Sequence, residues 1–199
     1  MTNDILEQVA EDYLRSRGYF TQHNIKYRPS VNEARYRVNS DIDILGYHPT
    51  RLKNDLSKVI VANCKSWQSG LNISWFLRIL ENTPNRKAAG KEAWKHFREI
   101  FDKVWAQALR KKVKELTGAD CFTFYLIVTK FQGDKVAWET SKLFLPNLLG
   151  CDLRILSMGE MIHSLQSELT ITPAHSALTR MLQLIKAGGG KVTYGQRKI

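Results

Sequence analysis

Two observations predict an α/β fold for this chain, a three-layer α/β/α arrangement around a central sheet. Hydrophobic periodicity changes along the sequence in the order helix, three strands, helices, strand, helix, strand, helices. An opening strand meander is thus followed by helices available for both sheet faces. The second observation is the stretch Cys-Phe-Thr-Phe-Tyr-Leu-Ile-Val-Thr at 121–129. It is aromatic or β-branched almost throughout, as in a central strand covered on both sides. A chain of 199 residues suits one domain, able to bury about 70% of the surface its unfolded form exposes.

The first helix is expected to start from a cap at Thr2 or Asn3 and to run to about Arg17. Ile5, Leu6, Val9, Ala10, Tyr13 and Leu14 fall at helical spacing, and Gly18 supplies the stop. Residues 19–28 read as a weakly patterned strand ending at Pro29. Residues 41–47 and 58–65 are the second and third strands, joined by the polar turn 48–55. A short helix is expected over 71–80, between Gly70 and Pro84. The longest helix is expected over 87–116, its apolar stripe made by Trp94, Phe97, Phe101, Val104, Trp105, Ala108, Leu109 and Val113. Its other face carries Lys91, Lys95, Arg98, Lys103, Arg110, Lys111, Lys112 and Lys114, and Gly118 ends it. After the 121–129 strand come a partly helical stretch at 135–149, a short strand at 152–156 and a helix at 159–169. Pro173 opens a final amphipathic helix with Leu178, Met181, Leu182 and Ile185 on its stripe. The triglycine 188–190 then releases a basic segment, so the expected organisation is one domain over 1–187 and a flexible tail over 188–199.

Charge narrows the partners. Thirty Lys and Arg against nineteen Asp and Glu leave a net +11, an excess that points to a polyanion and first of all to nucleic acid. No run of about 18 apolar residues exists, so no membrane span is expected. The first residues carry acids and lack the build of a signal peptide, which predicts a cytoplasmic protein. Cys64, Cys121 and Cys151 are widely spaced among apolar residues and read as reduced structural thiols, with no zinc spacing. His23, His48, His96, His163 and His175 show no ligand spacing and read as structural or surface groups.

The chemistry is concentrated in Asp41-Ile-Asp-Ile-Leu-Gly-Tyr47 and Val59-Ile-Val-Ala-Asn-Cys-Lys65. By strand alternation Asp43 points to the opposite face from Ile42 and Ile44. Lys65 follows an apolar run, where a strand leaves the core. A carboxylate and an ammonium at the same end of adjacent strands can hold a divalent cation and stabilise a phosphate. Taken alone, an Asp-x-Asp pair is also a solvated strand end, and a lone lysine is a surface residue. Cys64 beside Lys65 has no placed histidine base, so it reads as a strand cysteine rather than a nucleophile.

The order of helical acid, Asp strand and strand ending in x-x-Lys resembles the PD-(D/E)xK restriction-endonuclease-like nucleases. Leu6-Glu-Gln-Val-Ala-Glu-Asp-Tyr-Leu-Arg-Ser-Arg-Gly-Tyr19 is similar to the opening of Mrr-type members, and the match covers roughly residues 4–70. The resemblance implies a mixed central sheet and hydrolysis of DNA by an activated water, without a covalent intermediate. It implies Mg²⁺, or Mn²⁺, held by Asp43, by the carbonyl of Cys64 and by Glu7 as a ligand or as a group behind the ligands. Lys65 is then the catalytic lysine. Glu11 shares a helix face with Glu7 and competes for its role. Gln68 is placed to contact a phosphate or a water, and Trp67 either walls the site or stacks a base. A homodimer is implied for cutting both strands of a duplex. Lys91, Lys95, Arg98, Arg110, Lys111 and Lys112 would follow the DNA backbone, with Arg28, Arg35, Arg37 and Lys53 as further contacts.

Asn63 departs from the pattern, since the tripeptide's first residue is usually acidic. Mrr-type members resemble this chain in carrying an amide there. The substitution removes one negative charge and leaves open a nuclease-like module that binds nucleic acid without cutting it; the excess of cations leaves open a third reading, a structural or assembly protein whose charge serves an RNA or protein partner.

Overall fold

The computed structural model of the chain describes residues 4–31, 33, 36–168, 176–190 and 192. Five strands form one mixed sheet in the order β1 (Phe20–Tyr27), β2 (Ser40–Tyr47), β3 (Val59–Lys65), β7 (Thr123–Val128) and β9 (Asp152–Ser157). β1, β2 and β3 form an antiparallel meander. β3, β7 and β9 run parallel, so each of their connections must cross over a sheet face.

Helices cover both faces, giving the three-layer α/β/α architecture. On one face lies α1 (Ile5–Ser16), packed with α7 (Met158–Glu168) and α8 (Ala177–Ala187). Leu6, Val9, Ala10 and Leu14 of α1 are buried with Ile44, Ile60, Ala62, Ile127 and Met161. Burial of each such large side chain contributes about 1.5–3 kcal/mol. Asp4 starts α1 by accepting from Leu6 N at 2.8 Å; the expected caps Thr2 and Asn3 lie outside the described residues. The opposite face is covered by α2 (Ile73–Asn82), α3 (Arg98–Phe101), α4 (Lys103–Thr117), α5 (Lys135–Glu139) and α6 (Leu145–Leu148). There Phe76, Phe97, Trp105, Leu109, Trp138 and Phe144 meet Val59, Val61, Phe124, Leu126 and Ile155. This larger layer holds the aromatic core.

The long helix expected over 87–116 is not formed. Lys87–Ala88 and Lys91–Glu92 pair as a hairpin, β5 and β6. Ala89 and Gly90 at its tip take φ of 45° and 86°, a turn no α-helix accommodates. A 3₁₀ turn at Ala93–His96 and the four-residue α3 follow. The Asp102 carboxylate then restarts the helix by accepting from Val104 N and Trp105 N at 2.9 and 3.2 Å. The apolar residues keep near-helical spacing across these breaks because all the pieces pack on one core. Gly118 does end α4, in the left-handed region at φ 71°. Two further short strands, β4 (Leu71–Asn72) and β8 (Phe131–Gln132), pair in parallel beside the main sheet.

The last helix begins at Ser176, whose hydroxyl accepts from Thr179 N. Pro173, His175, Arg35, Lys191 and residues 193–199 lie outside the described residues. Among the described residues no helix is long and apolar enough to cross a membrane.

Candidate active site

The site grows from an irregularity shared by β1 and β2. Their register pairs His23 with Ile44 and Ile25 with Ile42, leaving Asn24 opposite Asp43. Asn24 takes a left-handed φ of 54°. Simple alternation puts Ile42 and Ile44 on one face, but Ile44 is buried in the α1 layer and Ile42 in the aromatic layer. The expectation that Asp43 faces away from both neighbours is therefore corrected. Asp43 stands where the strand changes faces, beyond the last β2–β3 pair, Ile44 with Ala62.

There its carboxylate replaces a ladder partner. Asp43 Oδ2 accepts from Cys64 N at 2.6 Å, which seats it against the middle of Asn63-Cys64-Lys65. Along β3 the faces alternate regularly: Val59 and Val61 belong to the aromatic layer, Ile60, Ala62 and Cys64 to the α1 layer. Asn63 and Lys65 thus share the aromatic-layer face. Asn63 is only 6% exposed, and its Oδ1 has no hydrogen-bond partner among the described residues. Asp41 Oδ1 is equally buried and unpartnered. Orphaned buried oxygens are uncommon and call for an explanation.

Electrostatics bind the group together. Burial raises the Asp43 pKa above the ordinary carboxylate value; the Cys64 N–H bond and Lys65 pull it down, and Glu99 and Asp41 push it up. Burial also raises Glu7, and Asp43 and then Asp4 push in the same direction, against His23. Glu11 behaves oppositely. Burial pushes it up, but bonds from His23 and Thr21 outweigh that and leave its pKa lowered. It is held by Thr21 Oγ1 at 2.9 Å, His23 at 3.1 Å and Arg15 at 3.1 Å. Glu11 is thus engaged with β1, and of the two helical acids it is Glu7 whose pKa responds to Asp43. Burial raises the Cys64 thiol well above its usual range, and Asp43 and Glu7 add to the effect. A thiolate nucleophile has no support here.

A further acid escaped the sequence reading. Glu99, on α3, is 5% exposed. Its Oε1 accepts from Ser40 Oγ at 2.7 Å and from Arg98 Nε at 3.4 Å. A lone acid in Phe97-Arg-Glu-Ile-Phe101, between core residues, was the available signal.

The basic residues expected on one helical face are dispersed. Lys91, on β6, is exposed but crowded by other cations: desolvation lowers its pKa, and Lys65 and Arg98 lower it further. Arg98 donates to Asn39 O and Ser40 Oγ, both at 3.2 Å. Lys95 pairs with Glu92 at 2.9 Å and Arg110 bonds Asp120 O at 3.3 Å. Lys111 and Lys112 project from α4 beside the β1 edge. Gln68 lies exposed in the turn after β3. Trp67 stacks on Phe76 at 5.4 Å and meets the buried His96 edge-on at 4.9 Å, so it packs against the aromatic core. His96 in turn bonds Ala88 O at 2.6 Å and anchors the hairpin that carries Lys91.

Among the described residues no three His, Cys, Asp or Glu side chains converge as a cation cage. A cation at Asp43 would thus draw on the Asn63 amide oxygen, the Cys64 carbonyl and water. These are oxygen donors, the type that Mg²⁺ and Mn²⁺ accept.

No protein-family model matches the chain, and no curated protein matches it. Among solved structures it is similar to the crystal structure of a protein of unknown function, AF1548, at a TM-score of 0.39 and 14% identity, over 93% of this chain and 79% of that one.

Proposed function

We propose that this chain is a divalent-metal-dependent nuclease that hydrolyses phosphodiester bonds in DNA. The observation that carries the reading is the 2.6 Å bond from Cys64 N to Asp43. It joins the acid of one strand to the tripeptide that ends in Lys65.

The residues fit a hard cation. Asp43 keeps Oδ1 beyond its bond to Cys64, Asn63 Oδ1 is an unsatisfied buried acceptor, and Glu7, Asp41 and Glu99 surround them with negative charge. When bound, a divalent ion supplies positive charge against the phosphate and a water that loses its proton more readily. Lys65, whose charge lowers the pKa of Asp43, would bind a phosphate oxygen and offset charge developing there. Lys91, on the hairpin and sensing the charge of Lys65, would add a second cation for the same phosphate. Glu99 fixes Ser40, at the start of the Asp strand, through a 2.7 Å bond.

Supercoiled plasmid incubated with the full chain in Mg²⁺, then Mn²⁺, tests the proposal. Nicking that disappears with EDTA, with Asp43→Asn and with Lys65→Ala is the expected result. Cleavage that survives both substitutions overturns it. Asn63 supports a second reading, a binding module without catalysis, because an amide contributes no charge to cation binding. Plasmid that shifts on a gel but stays intact in both metals selects that reading.

A further inference from the structure

A groove of about 420 Å³ lies between the outer edge of β1 and the exposed side of α4. β1 is an edge strand, so one wall is its end, Lys26-Tyr-Arg-Pro-Ser-Val31, and the other is Val104, Gln107, Ala108, Lys111, Lys112 and Glu115. Four cations face a single carboxylate. That carboxylate, Glu115, sits 3.7 Å from Lys112. Lys26, Arg28 and Lys111 are exposed, and none of the three forms an ion pair or hydrogen bond with a described residue. Three unpaired cations lining one concavity concentrate positive potential there.

The groove lies on the aromatic-layer side of the sheet, and α3, which carries Arg98 and Glu99, leads directly into α4. Lys26 pairs in register with Asp41, two residues from Asp43, or about 7 Å along the strand. A second hollow shares the Arg28–Val31 wall and is lined beyond it by Tyr36 and Arg37. From there Asn39 and Ser40 hand on to Arg98 through its two 3.2 Å bonds. Arg37 and Arg98 thus stand between the groove and the start of the Asp strand.

We propose that this groove binds the phosphate backbone of a nucleic-acid strand, with Lys26, Arg28 and Lys111 as its contacts, and leads that strand to Asp43 and Lys65. The path toward Asp43 rests on the nuclease reading; the binding itself does not. Phosphates suit the groove because its cations are exposed and stand on both of its walls, so they neutralise repeated charges without reading bases.

The test is fluorescence anisotropy of the full chain with a labelled 30-base-pair duplex in EDTA, across 50–200 mM salt. The triple variant Lys26→Gln, Arg28→Gln, Lys111→Gln is compared with Arg78→Gln, Lys142→Gln, Arg180→Gln. Both variants lower the net charge from +11 by three, to +8, so only position differs. Each phosphate contact contributes about 0.9 to the slope of log K against log salt. Losing three contacts should flatten the slope by about 2.7, so over this fourfold salt range the wild type loses about 40-fold more affinity than the groove variant. The control variant keeps the wild-type slope. Groove and control variants with equal slopes, or a wild type that does not bind, overturn the proposal. Binding with these slopes but no cleavage in metal leaves the groove standing and removes the nuclease reading. Cleavage with an unchanged groove slope does the reverse.

Discussion

Replacing Asp43 by Asn and by Ala separates its charge from its hydrogen bond. The carboxylate is desolvated and repelled by Glu99 and Asp41, while its bond to Cys64 N and Lys65 favour it. Its pKa is raised on balance, so folding prefers the protonated form. The sign follows directly. Between the unfolded value, about 3.9, and the raised folded value, the native state binds more protons than the unfolded chain, so stability falls as pH rises through that window. Asn keeps an acceptor for Cys64 N and imitates the protonated acid at every pH. Asp43→Asn should therefore melt no lower than wild type at pH 7 in EDTA, and its advantage should grow from pH 4 to pH 7. Ala removes the acceptor and strands a partly buried N–H. Leaving a buried donor without its acceptor costs about 1–3 kcal/mol, and for a chain of this size each kcal/mol moves Tm about 2–4 °C. Asp43→Ala should melt about 2–12 °C below Asp43→Asn. Mg²⁺ at about 100 times its Kd should stabilise wild type by about 2.7 kcal/mol and leave the Asn variant unmoved. Thermal melts of the three proteins, with and without Mg²⁺, read every arm. An Asn variant that melts as low as Ala at pH 7 would refute the argument, because the carboxylate charge would then be favourable in the native state.

Other perturbations test neighbouring links. Asn63→Asp restores a charge beside Asp43 and should lower the Mg²⁺ concentration for half-maximal nicking on the order of tenfold, while reducing Tm in EDTA; an unmoved midpoint in a metal titration removes Asn63 from the cation's surroundings. Glu99→Gln keeps an acceptor for Ser40 but deletes a charge that raises Asp43, so the acidic limb of the cleavage pH profile should shift to lower pH. A limb that stays in place detaches Glu99 from the site. Gly118→Ala meets nothing within 4 Å but is held at φ 71°, a left-handed cost of about 1–2 kcal/mol. Gly70→Ala adds to that cost a Cβ 2.6 Å from Lys130 O, so its Tm should fall further; equal losses would mean that the loop after Lys65 yields freely.

The two halves of the site were legible for different reasons. Asp43 and Lys65 stood out because each interrupts an apolar strand, and a polar residue there must be turned to some use. The strand at 121–129 was legible from its β-branched and aromatic run, which became β7. The segment 87–116 was not, although its apolar spacing looked helical. Trp94, Phe97, Phe101, Trp105 and Leu109 bury against one core whether a helix, a hairpin or a 3₁₀ turn presents them, and periodicity records burial rather than backbone continuity. The turn at Ala89-Gly90 and the Asp102 cap were visible as residues, but nothing local ranked them above the stripe.

By itself, then, the sequence determined the α/β class, the strand that carries Asp43, the strand that ends in Lys65 and the excess of cations. Tertiary structure alone tied Glu11 to β1 and left Glu7 to respond to Asp43, brought Glu99 to Ser40 at the start of the Asp strand, and set Lys26 and Arg28 across a groove from Lys111. Those choices depend on pairing between segments distant in the chain. The fate of Glu11 is set by its partners on β1, and the sheet's change of face at Asn24 decides where Asp43 points. A sequence specifies such contacts only through the whole packed fold, because a charge far along the chain acts on a carboxylate only after burial has brought the two together and removed the water between them.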